Sequence, residues 1–123
     1  MPTVAILGAS PDHKKYGNKS VRAHLRAGYT VFPINPSAQE VEGLAGYAKL
    51  ADVPEPVERI SVYLPPPITR RLLPEIAAAG AREVWFNPGA ADRATLDAAR
   101  ELGIAVVDGC SIVDLGLSPG QFP

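Results

Sequence analysis

Short apolar runs alternate with longer segments of mixed polarity along the whole chain. The first run, residues 3–7, is apolar along its length and ends in Gly8, which is typical of a strand buried on both faces. Similar runs predict further strands at residues 29–34, 59–64, 83–86 and 104–107, and a short edge strand at residues 40–42. The pattern therefore predicts five to six strands.

The segments between these runs have the spacing of amphipathic helices. Residues 18–27 predict the first helix, with Asn18 or Gly17 as its N-cap. Further helices are predicted at residues 68–79 and 92–102, with a closing turn or short helix near residues 112–115. Pro74 lies inside the second helix, so we expect that helix to be kinked or divided into two short pieces.

A glycine separates a predicted helix from the next predicted strand at three positions, Gly28, Gly80 and Gly103. Alternation of this length implies right-handed βαβ crossovers and a parallel sheet. We predict an α/β fold: a doubly wound, Rossmann-like parallel sheet with helices on both faces, formed by residues 1–123 as a single domain. Such folds bind ligands outside the carboxyl ends of their strands, so the loops after the strands are the candidate site.

Composition narrows the function classes. One cysteine and two histidines exclude an internal disulfide and a Cys/His zinc site. There is no apolar run long enough for a transmembrane helix, and the N-terminus lacks the pattern of a signal peptide. With a net charge of −1, we expect a cytoplasmic protein that binds neither nucleic acid nor membrane. A homodimer or a protein partner stays open.

Charge is unevenly distributed along the chain. Residues 13–39 contain no acidic residue but hold five cations, Lys14, Lys15, Lys19, Arg22 and Arg26. Such a stretch is either a solvated helix face or a local anion site. Its position directly after the first strand favours the anion site.

The first strand opens into the turn Gly8-Ala9-Ser10. Glycine permits a tight turn and a close backbone approach to a ligand, and the Ser10 hydroxyl can donate to a phosphate oxygen. The free N–H groups and the dipole of the following helix favour an anion there. We predict a phosphate site in this loop, together with Lys14 and Lys15. The alternative is a tight turn with ordinary surface lysines.

The absence of two nucleotide-binding motifs and of an acidic residue at the end of the second strand narrows the choice of phosphate ligand. Neither the full Gly-x-Gly-x-x-Gly fingerprint nor the Walker pattern is present. The second strand ends in Pro33-Ile34-Asn35-Pro36, without the acid that normally takes the ribose hydroxyls of NAD. Two ligands with a phosphorylated ribose remain, NADP and coenzyme A.

Several segments together resemble a known family. They are Val-Ala-Ile-Leu-Gly-Ala-Ser (4–10), Gly-Tyr-Thr-Val-Phe-Pro-Ile-Asn-Pro (28–36), Glu42-Gly43 with Tyr47, Pro56-Val57-Glu58, Leu64-Pro65-Pro66-Pro67, Val-Trp-Phe-Asn-Pro-Gly (84–89) and Asp108-Gly109-Cys110. Their order and spacing resemble the small stand-alone CoA-binding proteins over nearly the whole length. They resemble more distantly the N-terminal domain of the succinyl-CoA synthetase alpha subunit.

The resemblance implies a Rossmann-like domain that binds coenzyme A or an acyl-CoA across the carboxyl edge of the sheet. It implies a diphosphate site at Gly8, Ala9 and Ser10, with Tyr16 and Gly17 beside the following helix. It implies that Asn35 and Pro36 border the adenosine. Leu64 and Pro65, with Ile68 nearby, would then line the crevice, and Asn87 and Gly89 would lie toward the pantetheine arm.

Two departures from the family pattern affect this assignment. Relatives often have Lys or Arg soon after the Asn-Pro pair, whereas this chain has Ser37-Ala38-Gln39. A contact to the 3′-phosphate is therefore missing or supplied by Lys14, Lys15 or Arg71. The Trp-x-Gln-x-Gly turn of many relatives is Trp-Phe-Asn-Pro-Gly at residues 85–89, so the end of the arm can be recognised differently.

The sequence shows no catalytic constellation. His24 is expected to be structural or solvated, and His13 lies in the phosphate loop. For Cys110 we expect a packed thiol, with a thiol that reacts with the coenzyme as the alternative. We therefore expect binding of CoA or acyl-CoA without catalysis. An NADP-binding oxidoreductase-like module and a degenerate domain that acts only through protein contacts stay open.

Proline is over-represented, with thirteen residues in the chain. The predicted strand ends hold six of them, Pro33, Pro36, Pro65, Pro66, Pro67 and Pro88, and the phosphate loop holds Pro11. Since proline fixes φ and lacks an N–H donor, we predict a stiff rim around the ligand crevice.

Overall fold

Five parallel strands form one sheet in the computed structural model, which describes residues 2–123. The strands are β1 (Thr3–Leu7), β2 (Thr30–Ile34), β3 (Arg59–Val62), β4 (Glu83–Phe86) and β5 (Val106–Asp108). Their order is β2-β1-β3-β4-β5, so the chain reverses direction across the sheet after β2. The carboxyl ends of β1 and β3 therefore flank the position where such folds bind ligands.

Helices cover both faces of this sheet. They are α1 (Tyr16–Arg26), α2 (Pro66–Ala79), α3 (Arg93–Glu101) and α4 (Ser111–Asp114), with 3-10 turns at Leu50–Asp52 and Pro119–Gln121. Val4 and Ile6 of β1 pack with residues of α1, while Ala5 and Leu7 pack with residues of α2 and α3. This alternation along one strand confirms the predicted doubly wound α/β fold. Among the helices of residues 2–123, none has the length and hydrophobicity needed to cross a membrane.

The predicted edge strand at residues 40–42 is wrong. Val41 and Leu44 instead form an isolated antiparallel bridge that closes a tight turn. Glu42 and Gly43 within it have φ of 51° and 78°, the left-handed conformation that interrupts a strand. The turn brings the Glu42 carboxylate to the loop after β1.

The start of α1 also differs from the prediction, because the helix begins at Tyr16 and its N-cap is Lys15. Asn18 is thus an internal helix residue rather than the cap. The backbone turns earlier because the Lys15 N–H donates to the Asp12 carbonyl at 3.1 Å and the Lys14 N–H to the Asp12 Oδ1 at 3.0 Å. The helix therefore points its first turn directly at the end of β1.

Helix α2 is one element of 14 residues that includes Pro74, so the division into two short helices is not found. It begins at Pro66 rather than near residue 68. Proline is favoured in the first helical turn, where its missing N–H has no partner to lose. The three consecutive prolines therefore start α2, whereas β3 ends before them, at Val62 rather than at residue 64.

Pro33 lies within β2, near its carboxyl end, and β2 is an edge strand. Pro33 lacks an N–H only on the open side of β2, away from β1, which an edge strand tolerates. Its carbonyl accepts the Tyr47 N–H at 2.9 Å, and the Asn35 N–H donates to the Tyr47 carbonyl at 3.0 Å. The segment around Tyr47 thus covers the open side of β2 and limits pairing with further strands.

A buried arginine occupies the opposite end of the sheet from the strand carboxyl termini. Arg59 opens β3 and pairs with the carboxylates of Glu83 and Asp114, each at 2.5 Å. Its guanidinium carbon lies 5.4 Å and 5.1 Å from the ring centres of Tyr29 and Trp85. Two ion pairs and two aromatic faces thus compensate for its loss of hydration.

His24 is completely buried beside this arginine. Its Nδ1 lies 2.8 Å from the Ser20 carbonyl oxygen and its Nε2 lies 3.3 Å from Arg59 Nη1. These partners suit a neutral ring that donates from Nδ1 and accepts at Nε2. Burial lowers the pKa of His24 from 6.5 to about 4, although the hydrogen bond to Ser20 opposes the shift.

We expect the stability of the fold to fall in mild acid. The unfolded chain protonates His24 below its ordinary pKa of 6.5, whereas the folded chain resists protonation down to about pH 4. The free energy of unfolding should therefore decrease as the pH falls through this window, by up to about 3 kcal/mol. Chemical denaturation at a series of pH values measures this loss. His24→Gln should flatten the pH dependence, and an equal loss in both proteins would contradict the assignment.

Candidate functional site

The carboxyl ends of the five strands open into a cleft of about 1000 Å³. This is the upper end of the range typical of ligand pockets. Twelve of the fifteen predicted site residues line it: Gly8, Ala9, Ser10, Lys15, Tyr16, Gly17, Asn35, Pro36, Leu64, Pro65, Asn87 and Gly89. Segments far apart in sequence therefore meet at the sheet edge where the fold predicts a ligand site.

The other three predicted residues do not line the cleft. Lys14 is exposed in the loop after β1, and Ile68 and Arg71 are exposed on α2. Lys15 is thus the one lysine or arginine of the described chain among the lining residues.

The backbones of β1 and α1 meet at two glycines. A Cβ at Gly17 would lie 2.1 Å from the Gly8 carbonyl oxygen. Gly8 has a φ of +86°, and a Cβ there would lie 2.7 Å from the Tyr63 carbonyl oxygen. A side chain at Gly17 would push the first turn of α1 away from the end of β1, and a side chain at Gly8 would push the end of β1 away from the backbone of Tyr63.

The N–H groups around this contact divide into two sets. Those of Gly8 and Ala9 both donate to the Ile34 carbonyl, at 3.1 Å and 3.2 Å, so they tie the loop to β2. The N–H groups of Tyr16 and Gly17, in the first turn of α1, have no acceptor within residues 2–123. The free donors that an anion requires therefore come from the helix rather than from the glycine turn.

Asn18 holds the loop after β1 in place from inside α1. Its Nδ2 donates to the Ser10 carbonyl at 2.8 Å and to Glu42 Oε2 at 3.1 Å, and its Oδ1 accepts from Arg22 Nε at 2.7 Å. The same Glu42 oxygen lies 2.9 Å from His13 Nε2. The hydrogen bond from Asn18, with a smaller one from His13, lowers the pKa of Glu42. His13 is thus paired with a carboxylate instead of facing the cleft.

The five cations of residues 13–39 do not converge on the cleft. The Arg22 guanidinium donates to the carbonyls of His13, Phe122 and Pro123 at 2.9–3.1 Å. The Arg26 guanidinium carbon lies 4.8 Å from the centre of the Phe122 ring. These two side chains therefore fasten the C-terminal segment to α1, and the local positive potential of the cleft rests mainly on Lys15 and the start of α1.

Asn35 builds the turn after β2. Its Oδ1 accepts the Gln39 N–H at 2.9 Å and its Nδ2 donates to the Gln39 carbonyl at 3.2 Å. A Cβ on Gly46 would lie 2.1 Å from that same carbonyl oxygen, so the backbone of Gln39 is confined from two sides. Asn35 thus acts on the cleft by positioning Gln39.

Asn87 links the ends of three elements beneath the cleft. Its Nδ2 donates to Ser61 Oγ at 2.8 Å and to the Val62 carbonyl at 2.9 Å, and its Oδ1 accepts the Ser111 N–H at 2.8 Å. Ser111 Oγ lies 3.1 Å from the hydroxyl of Tyr63, a residue that lines the cleft. Burial raises the pKa of Tyr63, so its phenol stays protonated.

Seven lining residues are absent from the predicted set: Gln39, Tyr63, Pro66, Pro88, Ala90, Cys110 and Pro119. Pro66 and Pro88 belong to the predicted proline rim, and Cys110 follows the last strand. Gln39 and Tyr63 carry no motif that marks them. Pro119 is brought to the cleft by the C-terminal turn, which strand periodicity does not place.

The proline rim is found in part. Pro36, Pro65, Pro66 and Pro88 line the cleft, whereas Pro11, Pro33 and Pro67 do not. Within residues 2–123, no cluster of three or more His, Cys, Asp or Glu side chains has the arrangement to hold a metal ion.

Comparison with known proteins gives consistent matches. Residues 2–116 match the family described as CoA binding domain. An ADP-forming acetate–CoA ligase of Archaeoglobus fulgidus is 25% identical over 114 residues, which cover 85% of this chain and 17% of the ligase. The chain thus spans about a sixth of the length of this curated relative.

Several solved structures match over most of this chain and most of their own length, among them the following two. A Thermus thermophilus protein has a TM-score of 0.84 and 35% identity, covering 92% of this chain and 87% of its own. A conserved hypothetical protein of Pyrococcus furiosus has a TM-score of 0.83 and 30% identity, covering 93% of this chain and 99% of its own.

We expect Gly17→Ala to destabilise the protein by about 1–3 kcal/mol, because the added methyl group collides with the Gly8 carbonyl. Gly109→Ala is the matched control, since a Cβ there meets only the Trp85 ring at 3.5 Å. Urea denaturation measures both. Equal stability of the two variants would show that the contact between β1 and α1 is not a constraint.

Proposed function

The chain belongs to the CoA binding domain family, and on that premise we propose that it binds coenzyme A or an acyl-CoA across the carboxyl edge of its sheet. One observation carries this proposal: a single cleft joins the loops after all five strands to the first turn of α1. One part of the lining is Lys15 with the start of α1, and another part is apolar, with Leu64, Pro65 and Pro88. An elongated ligand with an anionic part and an uncharged part suits such a cleft.

The diphosphate is proposed to lie at the start of α1. The free N–H groups of Tyr16 and Gly17 and the ammonium group of Lys15 supply donors and positive charge there. Ser10 also lines the cleft, and its hydroxyl oxygen accepts the Asp12 N–H at 3.1 Å. Its own proton remains available to a phosphate oxygen.

The residues on either side of the proposed diphosphate position indicate where the adenosine and the pantetheine arm of the ligand would lie. The turn after β2, with Pro36, borders the adenosine. The pantetheine arm follows Leu64, Pro65 and Pro88, whose side chains offer apolar walls without donors that the arm would leave unsatisfied. This direction agrees with the general rule for doubly wound sheets, in which the ribose lies at the end of the second strand.

Binding is proposed as the whole activity of the chain. The acetate–CoA ligase relative is about six times as long as the region it shares with this chain, so its reaction is not transferred here. The family match supports coenzyme A and lends no support to the NADP alternative.

Calorimetric titration tests the ligand. We expect heat on addition of CoA and none of comparable size with NAD or NADP, because the cleft is proposed to hold an apolar arm beyond the diphosphate. Absence of binding to CoA at about millimolar concentration would overturn the proposed function.

Substitutions in the loop test the position of the diphosphate. Ser10→Glu places a negative charge beside the proposed phosphates and should weaken CoA binding by about tenfold or more. Ser10→Ala removes the hydroxyl without adding charge and should have a smaller effect. Lys15→Ala should weaken binding by about threefold to tenfold, whereas Lys49→Ala, at an exposed lysine outside the cleft, should not. Equal affinities in Ser10→Glu and Ser10→Ala would place the phosphates elsewhere.

A further inference from the structure

The turn after β2 presents an uncharged side chain where a doubly wound fold recognises the ribose. An acid at this strand end takes free ribose hydroxyls, and an arginine nearby takes a ribose phosphate. In this chain the turn places Gln39 in the cleft wall, with neither charge. The residue type therefore matches neither of the two usual ways of distinguishing the ribose.

Gln39 is well placed to contact a ligand because its backbone is fixed and its side chain is free. The Asn35 side chain bonds both its N–H and its carbonyl, and Gly46 packs against that carbonyl. Its own side-chain amide has no hydrogen-bond partner within residues 2–123. An amide can donate to a phosphate oxygen or accept from a hydroxyl, and it adds no net charge for either.

No other lysine or arginine of the described chain lines the cleft besides Lys15, and Lys15 belongs to the start of α1. Arg22 and Arg26 lie against the C-terminal segment, and Arg71 is exposed on α2. Coenzyme A carries a 3′-phosphate in addition to its diphosphate, and such a monoester has a charge of about −1.5 to −2 at neutral pH. The cleft wall does not supply a charge to match it.

We propose that Gln39 faces the ribose of the bound coenzyme and that the cleft accepts ribose with or without a 3′-phosphate. The ligand class is then every pantetheine thiol or thioester attached to an adenosine diphosphate, dephospho-CoA included. This inference rests on the proposed function, because it concerns the adenosine end of the same cleft.

Calorimetric titration of the whole chain with CoA and with dephospho-CoA tests the inference. We expect the two dissociation constants of the unaltered protein to lie within about threefold of each other. Gln39→Lys should shift their ratio toward CoA by about fivefold or more, because the added ammonium group meets the 3′-phosphate. Gln39→Glu should shift the ratio toward dephospho-CoA. The shift in Gln39→Lys should shrink at high salt.

Glu40→Gln is the matched control, since it makes the same change in net charge at the neighbouring exposed residue, which lies outside the cleft. It should leave the ratio of the two affinities unchanged. A preference of about tenfold or more for CoA in the unaltered protein would overturn the inference, as would an equal ratio in Gln39→Lys and Gln39→Glu. If neither ligand binds, the proposed function itself fails. The two failures are therefore distinguishable.

Discussion

The contact between the backbone of Gly17 and the carbonyl of Gly8 is the constraint on which the cleft depends. It brings the first turn of α1 against the end of β1, and no side chain fits between them. It places the first turn of α1, whose Tyr16 and Gly17 N–H groups have no partner within residues 2–123, at the same cleft as the loops after β3 and β4. A small separation of the two backbones would remove the donors from the cleft while leaving the sheet intact.

Three buried asparagines give the loops around this contact their shape. Asn18 holds the loop after β1, Asn35 the turn after β2, and Asn87 the ends of β3 and β4. Each uses both its carbonyl and its amide nitrogen within the protein, so each satisfies backbone groups that a loop would otherwise leave to water. Two of them, Asn35 and Asn87, line the cleft and at the same time hold its loops together.

Much of the fold follows from the periodicity of the chain. The apolar runs locate all five strands to within about two residues. The glycines at positions 28, 80 and 103 locate the connections from a helix to the next strand. The strand at residues 40–42 was wrong because Glu42 adopts a left-handed conformation, which a residue other than glycine rarely does. Helix α1 begins at Tyr16 rather than at residue 18, because Asn18, a favoured cap residue, donates hydrogen bonds to Ser10 and Glu42 instead of capping the helix.

The site was less accessible to sequence reasoning than the fold. Adjacent cations suggested one anion site, yet helical geometry turns Arg22 and Arg26 toward the C-terminal segment. Gln39 and Tyr63 line the cleft without belonging to any motif, since tertiary packing alone places them there. Strand ends are predictable from local pattern, whereas the direction of a side chain depends on partners far away in the chain.

The hydrogen bonds of Gly8 and Ala9 to Ile34 have a consequence for how quickly a ligand is bound and released. The loop is held to β2 by the protein itself, and the prolines of the rim have few conformations to lose. Little order would remain to be created on binding of a ligand at the proposed position, so the entropy of closing the loop would not oppose association. Differences in affinity among related ligands then arise mainly from how long each one stays bound.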